Sequence, residues 1–135
     1  MRLALLALAA LVWIAVPVSA RAEGETVDTW DGTVEAFTEG SGTKEDPWRI
    51  ENAEQLAYLA QQVNNGTNYR GKHFLLVSDL DLSVKEWTPI GTYSNSFWGG
   101  FDGGGRTITG MTITGKENKY VGLFGACYNF TAPSS

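Results

Sequence analysis

Two carboxylates, one histidine and a run of glycines are the residues here whose type and spacing could do chemistry. Asp79 and Asp81 stand two apart in VSDLDL, a spacing that points both carboxylates to one side of a strand. Paired carboxylates work in glycosidases by facing each other across a cleft at roughly 5–9.5 Å. The same two acids alternate with Leu80 and Leu82, as in any strand with one wet and one buried face, and that plainer role is preferred. His73, the single histidine, is the one base available to a Ser-His-Asp arrangement. No nucleophile-elbow sequence surrounds any serine, and the place beside Phe74 is that of a residue at a strand entry. The block Gly99–Gly105 holds five glycines and one acid, Asp102. A dinucleotide fingerprint there would have to open a helix, but β-branched Thr107 and Ile108 follow, and a phosphate loop would end in Gly-Lys-Ser/Thr. A calcium-binding nonapeptide needs tandem copies. The glycines therefore read as a tight corner. No catalytic residue, metal site or cofactor is expected. Cys127 is alone, which excludes a disulfide framework and a cysteine zinc site, and the acids from Glu23 to Glu39 lack the spacing of a calcium loop.

Trp87, Tyr93, Phe97, Trp98 and Phe101 crowd one stretch beside Ser94, Asn95 and Ser96. Large aromatics dominate cores, so core filling is the preferred role of Trp87 and Trp98. Exposed, such rings stack on sugars. Tyr93, Phe97 and Trp98 are the candidate carbohydrate-binding residues.

The elements that would position these residues follow from composition and pattern. A chain of 135 residues holds at most one domain. Its apolar share of 43% and aromatic share of 12% are too high for a disordered polymer. Sixteen glycines with five Trp and five Tyr point to turn-rich β structure. A net charge of −5 offers no basic face to phosphates, so nucleic acid is excluded as a partner. Arg2, the apolar run Leu3–Val16, Pro17, Ser19 and the small residues Ala20 and Ala22 are arranged as a secretory signal peptide over residues 1–22, cleaved after Ala20 or Ala22. The run is shorter than the ~20 residues of a membrane-crossing helix. A secreted or cell-surface protein is expected. Ten of the fifteen acids lie between Glu23 and Glu54, and residues 23–42 read as an acidic flexible leader ending in the hinge Gly40-Ser41-Gly42.

Asn52 with Gln55 three positions on is a capping-box variant, so a helix should begin there. Ala53, Leu56, Ala57, Ala60 and Val63 form one apolar stripe with Leu59 beside it, Glu54, Gln55, Gln61 and Gln62 face water, and Asn64-Asn65-Gly66 ends the helix. Beyond it, Val77, Leu80 and Leu82 can share a face only if the chain turns a corner at Ser78-Asp79, because side chains alternate along a strand. The pattern returns at Ile108, Met111 and Ile113. An offset of 31 residues then pairs Val77 with Ile108, Leu80 with Met111, Leu82 with Ile113, Ile90 with Val121 and Tyr93 with Phe124. A repeat of that length made of short strands marks a solenoid whose coils stack in parallel register. An antiparallel sandwich is the competing architecture.

The stretches GSGTKEDPWRIENAEQLAYLAQQVNNG, FLLVSDLDLS, WTPIG, SFWGGFDGGGRTITGMTI and YVGLFG, in this order over about residues 40–126, resemble the N-terminal segment of bacterial exoproteins that carry GLUG repeats. The resemblance implies a mainly β fold: a right-handed parallel β-helix whose first coils are covered by one N-terminal amphipathic capping helix, in large secreted or surface-attached, adhesin-like proteins. It implies little chemistry. On this reading residues 43–126 form the capping helix and first coils, and 127–135 an irregular tail. Such proteins continue with more coils, and solenoids need about three or more. The chain is thus expected to be a fragment whose further β-helix coils are missing from it. The expected function is a non-enzymatic scaffold or adhesin-like part of an exported surface protein, with glycans or extracellular-matrix and cell-surface components as partners. The alternative is the N-terminal coils of a polysaccharide-active β-helix enzyme, a lyase or glycosidase, working through Asp79 and Asp81.

Overall fold

Among the described residues no strand exceeds four residues, a length at which no strand or single pair is stable in water. Stability has to come from stacking one pass of the chain on another. The computed structural model describes residues 27–114 and 121–128. The signal peptide read at 1–22 and most of the tail read at 127–135 lie outside them. The elements are β1 (Asp28–Thr29), β2 (Trp48–Ile50), α1 (Ala53–Asn64), β3 (His73–Leu76), β4 (Leu80–Asp81), β5 (Gly100–Asp102) and β6 (Ile108–Thr109). They make two three-stranded sheets, ordered β2-β3-β5 and β1-β4-β6. Every pairing in both is parallel. The fold is mainly β with one helix, as the sequence predicts.

The second and third passes follow one rule. A strand of the first sheet, β3 or β5, leads within a few residues to a strand of the second, β4 or β6. The first pass breaks it. After β2 the chain enters α1, and the place beside β4 that a strand would have taken is filled by β1 from upstream. The Asp28 carboxylate seals this exchange by accepting the Ala53 N–H of the first helical turn at 2.9 Å. Residues 23–42, expected as a flexible leader, thus belong to the fold from Val27 on. Trp30 is buried in the core, and Phe37 packs its ring against Trp48, Tyr58, Tyr69 and Phe74. Glu39 accepts the Arg49 N–H on the outer edge of β2 at 3.0 Å. Aromatic burial of this kind outweighs the solvation of scattered acids.

The stacking register differs from the constant 31-residue offset. Leu80 pairs with Ile108 and Asp81 with Thr109, an offset of 28. Isolated parallel bridges join Ile90 to Phe124 and Phe97 to Cys127, offsets of 34 and 30. Val77 therefore does not lie under Ile108, nor Leu80 under Met111, which is 37% exposed. Backbone pairing fixes register strand by strand, and corners of unequal length let it drift.

The helix matches its signals, with one difference. Asn52 Oδ1 accepts the Gln55 N–H at 2.8 Å, whereas the Gln55 side chain returns to the Glu51 N–H, one residue upstream of the usual box, at 2.8 Å. Making that bond buries Gln55, which the pattern had facing water. The stripe of Ala53, Leu56, Ala57, Leu59, Ala60 and Val63 is buried and continues into Ile50, Phe74, Leu76, Leu80, Leu82, Trp87, Ile90 and Phe97 as one core. At the corner after β5, Gly104 has φ +59°, and a Cβ there would stand 2.4 Å from the Leu76 carbonyl oxygen, so only glycine fits.

Phe74→Ala removes the ring shared by three passes and is expected to cost about 3–5 kcal/mol in urea unfolding. Asn52→Ala, which loses only the cap, should cost about 1 kcal/mol. A Phe74→Ala loss no larger than that of the cap would mean that the stacked core is not what holds the chain.

Candidate functional site

The two acids read as a possible catalytic pair are engaged with backbone. Asp79 accepts the Thr107 N–H at 3.0 Å, tying the second pass to the third. Asp81 accepts the Ser83 N–H at 2.9 Å, and its other oxygen lies 3.5 Å from the Thr29 hydroxyl of the first pass. Hydrogen bonds from Ser83, with a smaller share from Thr29, hold the Asp81 carboxyl below the usual carboxylate range. A general acid needs the opposite shift. Glu86 is held low in the same way, since Thr114 donates both its N–H and its hydroxyl to one Glu86 oxygen. Glu54, at the start of α1, is pushed up by burial and by the nearby Asp28, Asp31 and Glu35. His73 stands opposite Gly100 across the β3/β5 pair, and a Cβ on that glycine would come 3.0 Å from its Nδ1. In the glycine block, Asp102 accepts the Gly104 N–H at 2.8 Å and Arg106 donates to the Gly103 carbonyl at 3.0 Å. This is a corner closed by an Asx turn. Burial pushes the Cys127 thiol up, away from the thiolate a nucleophile needs.

The aromatic residues divide by face. Phe97 is fully buried, with ring centroids 5.9 Å from Phe74 and 5.4 Å from Phe124. It is a core residue and has no face to give a sugar. Trp87 is also buried, edge-on to Trp30 at 5.4 Å, and donates its indole N–H to the Leu123 carbonyl at 3.2 Å. Trp98 follows Phe97 and so turns outward. It stacks on Tyr128 at 4.3 Å and 24°, with the Arg70 guanidinium over its ring at 5.4 Å. Its backbone N–H bonds to the Asn68 carbonyl, and the Tyr128 N–H to that of Phe97. Arg70, Trp98 and Tyr128 therefore form a surface stack with one member from each of three passes. Tyr93 is 82% exposed and makes no ring contact among the described residues. The structure thus separates the three candidate residues into core, stack and open surface rather than joining them in one platform. Arg70 and Tyr128 were not singled out in the sequence, although an aromatic 30 residues after Trp98 was a usable signal.

A cleft of about 350 Å³ lies between α1 and the turns holding Trp30 and Trp87. Its two tryptophans are 7% and 1% exposed, too little for a sugar to stack on. Asn64 on its wall is already bonded both ways, to the Pro89 carbonyl at 3.0 Å and the Gly91 N–H at 2.8 Å.

Fold and surface together define a mainly β domain of parallel, stacked passes, whose acids fasten backbone and whose outer face is aromatic and polar. No protein-family model matches the chain, and no solved structure matches it. Two curated proteins are similar. A protein named as a Gly-rich membrane protein of Evansella cellulosilytica is 41% identical over 97 residues, covering 66% of this chain. Halomucin of Haloquadratum walsbyi is 35% identical over 108 residues, covering 70% of this chain. The chain spans 10% of the length of the first and 1% of the second. No helix among the described residues is long and apolar enough to cross a membrane.

Asp81 and Glu86 titrate below their unfolded values, so the stability they give is present above those values and lost as pH falls through the folded ones. The melting temperature should therefore drop on acidification below about pH 4.5. Asp81→Asn with Glu86→Gln should flatten that limb and leave the alkaline side unchanged. An acid limb as steep in the double variant as in the parent would assign it to other groups.

Proposed function

We propose that this chain is the N-terminal part of an exported surface protein built as a right-handed parallel β-helix, acting as a non-enzymatic scaffold with an adhesin-like role. The observation that carries the reading is the parallel pairing of three successive passes in both sheets, with core residues repeated at each pass. The names of the two relatives, one a membrane protein and one a halomucin, support a cell-surface location. So does the signal peptide read at residues 1–22. The resemblance to GLUG-repeat exoproteins supports the same architecture. The use of Asp79 and Asp81 as backbone acceptors favours a scaffold over the polysaccharide-active alternative. The partners proposed are glycans or matrix and cell-surface components, met through exposed aromatics such as Tyr93, and further β-helix coils that would stack on the last pass.

Export is tested by expressing the 135-residue chain in a bacterial host and following it by cell fractionation and protease shaving. The full chain should reach the surface or medium, and a chain lacking residues 1–22 should stay inside. Identical partitioning of the two would remove the export step. On a glycan and matrix array, Tyr93→Ala should lower whatever binding the parent shows by roughly tenfold or more, the size of one lost stacking contact. A folded parent that binds nothing would leave a scaffold without adhesion.

A further inference from the structure

Three corners of the chain, residues 64–72, 91–99 and 125–128, lie side by side on one flank of the stack. The Trp98 N–H bonds to the Asn68 carbonyl at 2.8 Å and the Phe97 N–H to the Ala126 carbonyl at 2.9 Å. The Asn95 side chain adds a bond to the Asn64 carbonyl at 2.9 Å. None of the three corners contains an Asp or Glu, in a chain that has fifteen. Ten of those acids lie between Glu23 and Glu54, and Asp79, Asp81, Glu86 and Asp102 fasten other turns. The charged side chains of the flank are Arg70 and Lys72, both exposed. The loop carrying Glu45 and Asp46 borders Lys72 through the His73 N–H to Gly42 carbonyl bond, and its Asp46 is paired with Arg49.

Arg70 is held ready without being paired. Its guanidinium lies over the Trp98 ring at 5.4 Å. That ring is itself fixed, by its indole N–H donating to Ser96 Oγ at 3.1 Å and by Tyr128 stacked at 4.3 Å. Among the described residues the guanidinium forms no ion pair or hydrogen bond. A planar fork of N–H donors is thus kept in one place, and such a fork matches a carboxylate bidentately. On the middle corner, Tyr93 is 82% exposed in a turn closed by the Thr92 N–H to Asn95 carbonyl bond at 2.9 Å, an open ring of the kind that stacks on a sugar face.

We infer that this flank binds an acidic polysaccharide, with Arg70 taking a sugar carboxylate and Tyr93 a ring face of the same polymer. The inference rests on the adhesin-like reading above, whose glycan it names. A neutral glycan would leave the Arg70 fork without a partner. Nucleic acid also joins charge to flat rings, but it carries a phosphate at every residue, and a chain of net charge −5 repels more of these than two cations neutralise. The acids on the other turns turn a polyanion away from the rest of the molecule, which confines it to this flank.

Fluorescence anisotropy with a labelled galacturonate oligomer at physiological salt tests the inference, with circular dichroism as the check on folding. The free-acid oligomer should bind the 135-residue chain roughly tenfold or more tightly than the same oligomer with its carboxylates methyl-esterified. Arg70→Gln should remove most of that difference, and Arg70→Lys, which keeps the charge but not the fork, should restore only part of it. Arg106→Gln, which removes an exposed cation outside the three corners, should leave binding unchanged. Equal binding of acid and ester, equal weakening by Arg70→Gln and Arg106→Gln, or equally strong competition by single-stranded DNA would each overturn the inference and leave adhesion standing. A folded chain that binds no glycan of either kind, nor any on the array, would end both.

Discussion

A strand of two to four residues gains little from its own sequence. Each strand here is held because a strand of another pass lies beside it in parallel register and side chains on the same face fall in line behind the backbone bonds. Phe74 stands in register with Trp48 on one side and Phe101 on the other, and Ile50 with Leu76. Leu80 stands between Asp28 and Ile108. The aromatic column continues laterally through Phe97 and Phe124. Aligned burial and backbone pairing are thus one interaction seen from two sides, and the loss of either exposes the other to water.

That constraint explains why the upstream segment is drawn into the fold. Diverting the first pass into α1 leaves the outer edge of β4 without a neighbour. Water could satisfy its backbone groups, but the apolar faces of Leu80 and Trp87 would then be open. β1 and Trp30 close this gap, Trp30 by donating its N–H to the Asp81 carbonyl at 3.0 Å and meeting Trp87 edge-on. The helix and the leader therefore serve as two halves of one cover over the first pass, joined at the Asp28 to Ala53 hydrogen bond.

The helix was legible because its information is local. An N-cap, a 3.6-residue stripe and a terminal Asn-Gly lie within fifteen residues and need no partner to be read. Parallel stacking was legible as well, since corners and apolar pairs return on each pass. Register was not. The 31-residue offset matches side-chain types, whereas the observed offsets of 28, 30 and 34 scatter about it, because backbone pairing ignores side-chain type and corners absorb the difference. Strand β1 is two residues long and carries no pattern a sequence could display, and the acids around it suggested a tether. The aromatic site failed for a related reason. Alternation requires Phe97 and Trp98 to face opposite ways, but which of them faces the core follows from the stacking of Phe97 on Cys127, a contact between residues far apart in sequence.

What the acids do bears on what the fold can be for. In a stack of short strands every corner leaves backbone N–H groups without a partner in either sheet, and Asp79, Asp81, Glu86 and Asp102 each accept one. The bond fixes the direction of each carboxylate, which suits a corner, and in Asp81 and Glu86 the donors also hold the carboxyl below its ordinary range. In a parallel stack the outer rows of side chains line up from pass to pass, as Arg70, Trp98 and Tyr128 do. A surface that repeats at the spacing of adjacent strands, about 4.8 Å, presents the same kind of contact several times along one line.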